Sequence, residues 1–566
     1  MAKREKTRSL AASNSLLLLI IPVHIKKYLL LIVSIFLVMD LSAQESKSDT
    51  SKKVDINIVH AEYGEYVETD TNAFNKLVGN VELEQEGNLM YCDSAYLNIE
   101  TNNVEAFGDV YIKQPDGTEA ASDYLKYTGN TRMAYMKGNV SLTDGKDNLW
   151  SEEVTYNMKT KVGTYAQGGT LQSGQTTLSS NSGEYNLRTK DARFIEDVMV
   201  YDPEYEVVSD EMGYNTESKI VSFFAPSVVT SDKSVLRTTC GTYNTILELA
   251  NFPCRSSTQS EEQYLEADYI DYDKKKGIGL AQGDVIAIDT TQNITLYCGR
   301  ADVNEKRKTT LATIKPVLKQ NSGDDSLFIR ADTFFSAPIP LATDTVTTII
   351  KKGRGKKKKE EVIKTLDSTS IDKSRKRYLT GYHNVLIYSD SLQGKCDSMS
   401  YSDEDSAMRL MYEPVLWSRK SQITGDTILL YMDSSELSKM YIPSKAFVIS
   451  QSGPDKAKLY DQVQGKTLTG YFEKNALKEI LVKPNVETIY YSVDESGAYI
   501  GVNEATSARM RMRMRMKEQS ISSIVFEQEV KQKMTPLQDV DLTKMKLKGF
   551  IWLPELRPRS LAELFE

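Results

Sequence analysis

Histidine is nearly absent from this sequence: there are three in 566 residues, and His24 falls in the leader, which leaves only His60 and His383 in the body. No HExxH, CxxC or clustered His/Cys spacing occurs, so neither a metal centre nor histidine-based catalysis has a foundation, and no cofactor motif is present. An excess of positive charge is also missing. With 70 Lys and Arg against 78 Asp and Glu, the net charge of -8 excludes the sustained basic face that nucleic-acid binding needs to release counterions from phosphate. Tryptophan is scarce at three residues, whereas tyrosine reaches 32 and sits in short runs with Val, Ile and Thr between Gly, Asn and Asp, which is strand-and-turn vocabulary. The length exceeds what one ordinary core serves, which leaves several domains or an array that grows in one direction.

Lys26-Lys27, the apolar run from Tyr28 to Met39 and the small residues up to Ala43 follow the order of a secretory signal. Residues 1–43 are therefore expected to be a cleaved signal peptide or an uncleaved anchor. Five cysteines is an odd count for an exported chain. Cys92, Cys240, Cys298 and Cys396 share similar local settings, as a small buried thiol at one repeat position would; Cys240 with Cys254 is the sequence-near pair worth testing for a bridge.

The repeat is the main signal. Tyr127, Tyr156, Tyr185, Tyr214, Tyr243 and Tyr272 follow one another at 29 residues. A second marker, Gly79-Asn80-Val81, Gly108-Asp109-Val110 and Gly138-Asn139-Val140, runs out of phase with them; it weakens to Glu196-Asp197-Val198, then returns at Gly283-Asp284-Val285 and His383-Asn384-Val385. Each marker is read as opening an alternating strand, with Val81, Leu83, Val110, Ile112, Val140, Leu142, Val198 and Val200 on the inward face. At one strand spacing of about 4.8 Å per unit, roughly a dozen units would give a rod of about 60 Å.

The expected fold is all-β: an elongated, stacked-strand jelly-roll or solenoid-like array of ~29-residue repeats. Residues 55–341 form a first β-repeat domain, 342–376 a basic, disordered insertion around Lys351 to Lys359, 377–492 a second β-repeat module, and 493–566 C-terminal strands with a capping tail. From Arg509 to Lys517 arginine and methionine alternate, placing Met510, Met512, Met514 and Met516 on one face of a strand. Acidic residues such as Asp93, Glu152 and Asp210 recur in every unit, which suits turn and solvent roles better than a single polysaccharide-cleaving site, so no catalytic residues are assigned.

The Gly-Asn/Asp-Val markers, the Leu89-Met90-Tyr91-Cys92-Asp93-Ser94-Ala95 second strand and the segment from Ile480 to Tyr491 resemble the OstA-like, LptA-type proteins of lipopolysaccharide transport, over Val59 to Val317 and again over Tyr378 to Tyr491. That resemblance implies a periplasmic β-jelly-roll whose apolar interior shields the acyl chains of lipopolysaccharide or a similar amphiphile. It also implies stacking on other transport components, or on further copies, through edge strands. On this reading the eight inward residues named above are the groove-facing candidates for lipid. The competing reading is a structural or adhesive cell-surface β-solenoid with a sealed interior.

Overall fold

The computed structural model describes residues 54–566 apart from 70–71, 322–325, 341–344, 353–358, 367–374, 434–435, 475 and 516–519. The leader thus lies outside the described residues. Among those described there is no α-helix, and 44 strands join in one antiparallel sheet. Successive passes of about eleven residues, such as Asn88–Asn98, Asn103–Lys113 and Met133–Thr143, hydrogen-bond to the pass before and the pass after.

The Gly-Asn/Asp-Val marker does not open a strand. It sits in the middle of a pass. Gly79 and Asn80, Gly108 and Asp109, and Gly138 and Asn139 are consecutive left-handed residues, and the pairing register shifts across each of them. Two left-handed residues in a row break the pleat and bend the strand, a conformation that glycine adopts without a Cβ penalty. At Gly108 the space is also closed, because a Cβ would lie 2.3 Å from a carboxylate oxygen of Asp93. The chain therefore turns a corner inside each pass and contributes one segment to each of two facing sheets. The front sheet holds Val81–Gln85 and its equivalents; the back sheet holds Tyr127 and Tyr156. Their inner faces meet closely: a Cβ on Gly163 of the back sheet would lie 2.8 Å from Leu142 of the front.

Alternate passes turn the same corner by different chemistry. Ser122, Ser151, Ser180, Ser209 and Thr238 recur every 29 residues, and each hydroxyl donates to the carbonyl two residues on, at 2.7–3.1 Å, satisfying a backbone group that the bulge frees. Cys396 fills the same place and donates to the Ser398 carbonyl at 3.3 Å. Val81 faces Cys92, Val110 faces Ser122, Val140 faces Ser151, Val285 faces Cys298 and Val385 faces Cys396. Cys92, Cys298 and Cys396 are thus buried serine equivalents, and burial pushes their thiols up to about 11, 11 and 12. Cys240 does not share that setting, since Thr238 occupies it. Instead Cys240 is joined to Cys254, with the Cα atoms 6.0 Å apart.

One 29-residue unit is accordingly two passes, one with each kind of corner. It advances the array by two strand spacings, twice the expected amount, and about 28 passes at ~4.8 Å span roughly 130 Å. The unit's Tyr-Asn pair closes the turn: Asn157, Asn186, Asn215 and Asn244 each accept two backbone N–H groups of the following loop.

The basic insertion does not divide the sheet. Leu327–Arg330 and Thr333–Pro338, before it, pair directly with Arg377–Tyr388, after it. Within the insertion expected to be disordered, Thr345–Lys352 and Lys359–Leu366 form a hairpin that pairs with nothing else among the described residues. In the Arg/Met strand Met510 is buried while Arg513 and Arg515 are exposed, and Arg513 meets Glu479 at 3.3 Å; Met516 lies outside the described residues. The last strand ends at Pro536. Beyond it the chain does not cap the array's edge but runs back across the outer face of the front sheet.

Candidate functional site

Cross-strand pairing threads a single inward column through the front sheet. It includes Leu83, Met90, Ile112, Leu142, Leu171, Val200, Val207, Val229, Leu236, Leu265, Leu296, Leu318, Ile387 and Leu416. Period-two alternation puts all of these on the face that looks at the back sheet. The result is an apolar interior between two sheets, joined along the corner and separate along the opposite edge.

That open edge, the mouth, is shut over the first stretch. The Tyr127 hydroxyl donates to Gln85 and the Tyr156 hydroxyl to Gln114, both at 2.6 Å, and Tyr185 donates to Asp147 at 3.2 Å. Each bond joins the back sheet to the front. Burial raises the three phenols, Tyr127 to about 12 and the others further, so they stay neutral donors. Outside this row a second set of residues, again 29 apart, reaches across from the back-sheet turns. Arg132 binds Glu86 at 2.8 Å, Lys161 binds Asp116 at 2.6 Å, Lys190 binds Asp144, and the Lys219 amine donates to the Ser173 hydroxyl at 2.8 Å.

The clasp ends at the next unit. Glu248 stands where the basic residue is due and pairs along its own edge with Lys274 at 2.9 Å; the phenol of Tyr243 is raised by burial, opposed by Lys274, with smaller contributions from Glu248 and from Glu204 of the front sheet's turn. Lys274 feels both carboxylates, but its hydrogen bond goes to Glu248 on its own edge and not to the front sheet. From there the inward column becomes accessible: Val229, Leu236, Leu265 and Leu296 are half-buried, as are Tyr243 and Tyr272 opposite them, before Leu318, Ile387 and Leu416 are closed in again.

All eight sequence candidates line the interior, and the structure brings them into one core. Val81, Leu83, Val110, Ile112, Val140, Leu142, Val198 and Val200 are at most 5% exposed, so they belong to the sealed stretch. The accessible apolar residues lie further along and were not among the candidates. A signal for them does exist in the sequence, in the run Arg132, Lys161, Lys190 and Lys219 that breaks at Glu248. Asp93, Glu152 and Asp210 sit at the corners, next to the Cys, Ser or Ser that caps the bend, and are spread along the array rather than gathered. Among the described residues no cluster of metal-ligating side chains occurs, and no helix is long and apolar enough to cross a membrane. What the arrangement can do chemically is remove apolar matter from water over the open stretch, at about 0.8 kcal/mol per buried CH₂.

Residues 53–210 match the model of the OstA-like protein family. No curated protein matches the chain. Among solved structures, the chain is similar to LptH from Pseudomonas aeruginosa, described as the LptA homologous periplasmic component of the conserved lipopolysaccharide transport device, at 13% identity and a TM-score of 0.19, covering 26% of this chain and 95% of that one. Residues 53–210, the stretch with the clasped mouth, are therefore OstA-like.

Proposed function

We propose that this chain is an exported periplasmic carrier that holds the acyl chains of lipopolysaccharide, or of a similar amphiphile, in its apolar interior on the way between inner and outer membrane. One observation carries the reading: the inward column, apolar but for Thr258 between Leu236 and Leu265, becomes half-accessible at Val229, Leu236, Leu265 and Leu296, where the clasp across the mouth stops. The OstA-like match supports it. An interior intended only as a spine gains nothing from such an opening, because exposed apolar surface costs about 25 cal/mol per Å². The eight residues of the sealed stretch would then take lipid only when the Tyr and Lys clasp parts. The first and last strands, Asn57–His60 and Lys531–Pro536, are exposed and offer edges on which other transport components or further copies would stack.

Purifying the chain without detergent from the periplasmic fraction and identifying bound lipid by mass spectrometry tests the reading. A stoichiometric lipid A-bearing species is expected; a lipid-free chain at full occupancy of the fold would sink it. The sealed first stretch favours the second reading, a cell-surface structural solenoid, which instead predicts that protease added to intact cells removes the protein.

A further inference from the structure

The outer face of the front sheet is covered in its downstream half by the chain's own tail. Leu318, Leu416 and Val448 point inward, so their neighbours Val317, Trp417 and Ile449 point outward, yet these three are at most 1% exposed. Upstream on the same face Met199, Tyr201 and Val208 are about 60% exposed. The difference is the segment 545–566.

That segment is held by side chains and not by strand pairing. The Gln462 amide donates to the Met545 carbonyl at 2.9 Å and accepts from the Leu547 N–H at 2.8 Å. Six residues on, the Gln422 amide repeats the same clamp, to the Ile551 carbonyl and from the Leu553 N–H, both at 2.8 Å. Arg557 then reaches the Gln393 carbonyl oxygen at 2.9 Å. Tyr460 takes the rings of Phe550 and Trp552 at 5.3 and 5.4 Å, and Leu564 is fully buried at the far end, where Lys315 meets Glu566. Each glutamine reads one carbonyl and one N–H two residues apart, the signature of an extended backbone, and Pro554 and Pro558 keep that backbone from joining the sheet as a strand. The seat is not tight everywhere, since a cavity of about 290 Å³ remains between Gln393, Tyr388 and Pro554 to Arg559.

We propose that this face is a docking site for an extended chain segment, filled by the molecule's own tail and open to exchange with the tail of a second copy. The tail carries the sequence to which the glutamine clamps are matched, and it leaves the last strand through the exposed turn at Asp541 to Lys544. Releasing it breaks no sheet hydrogen bond. Every contact it makes can form identically between two copies, the condition for exchange of an element between protomers.

The unaltered chain suffices for the test. Heavy-isotope and light chains are mixed in equal amounts, incubated, and coupled with a zero-length carbodiimide, which joins the Lys315 amine to a Glu566 carboxyl. Mass spectrometry of the linked peptides is expected to show mixed heavy–light pairs whose share rises with incubation time and protein concentration, toward a ceiling of about half reached only when every tail sits on another copy. Gln422→Ala with Gln462→Ala should speed the approach about tenfold, the effect of ~1.4 kcal/mol on a rate. Links confined to heavy–heavy and light–light pairs, in the unaltered chain and in the double variant alike, would overturn the proposal and make the tail a permanent part of the fold.

Discussion

Asp461→Asn should stabilise the downstream half at neutral pH and do nothing at pH 4. Asp461 lies between Tyr460 and Gln462, two of the residues that hold the tail, and its carboxylate accepts the Tyr491 N–H at 2.8 Å. Burial pushes its pKa from 3.8 up to about 6, against the opposing hydrogen bonds from Tyr491 and Ser452. The folded state therefore binds the proton more tightly than the unfolded chain. Below about pH 4 both forms are protonated and there is no penalty; between pH 4 and 6 stability is lost, and above pH 6 the full cost of about 2–3 kcal/mol is present, at 1.36 kcal/mol per unit. Asparagine keeps an oxygen for Tyr491 and carries no charge. Urea unfolding followed by tryptophan fluorescence reads this region, since Trp417 is buried under the tail and Trp552 stacks on Tyr460. The variant should gain about 2–3 kcal/mol at pH 7.5 and converge with the parent near pH 4. An equal difference at both pH values, or a loss at pH 7.5, would refute the reasoning.

Three further outcomes follow from the corners, the core and the mouth. Gly108→Ala should destabilise by more than the 1 kcal/mol of an ordinary glycine change, because the residue is left-handed and its Cβ would meet Asp93; thermal melting checks this. Leu142→Ala, at a fully buried position, should cost about 2–5 kcal/mol in denaturant unfolding, and a smaller loss would mean that the interior there is not packed. Glu248→Lys should restore the missing clasp opposite Glu204, protect Leu236 and Leu265 from solvent, and lower the uptake of a fluorescent fatty acid about tenfold; unchanged uptake would separate the opening from any binding role.

Much of the fold was legible because it is periodic. The tyrosines at 29 residues mark every second pass, and the alternation around Val81 and Leu83 sets the inward face. The sequence does not distinguish a strand that begins at Gly79-Asn80 from one that bends there, since both put a turn dipeptide before an alternating run, so a unit of two passes reads as one step. Cys240 resembles Cys92 in local sequence, yet which residue takes the corner is decided by register against the preceding pass, which sets Thr238 opposite Ser227. The clasp joins residues about 46 apart, and the tail joins residues 83 to 251 apart, distances at which only the folded chain reveals a partner. The eight candidates lie on the inward face, as their alternation required, and in the sealed stretch, because exposure depends on whether the opposite edge is clasped, not on the strand's own pattern.

The central claim is that the interior takes an acyl chain where the mouth is open. Photoactivatable residues at Leu236 and Leu265, compared in the same cells with Leu83 and Leu142, measure it directly. Lipopolysaccharide should be captured at the first pair, with much less at the second while the Tyr127 and Lys161 clasps are intact. Capture at neither pair, in a chain that folds normally, would contradict the account.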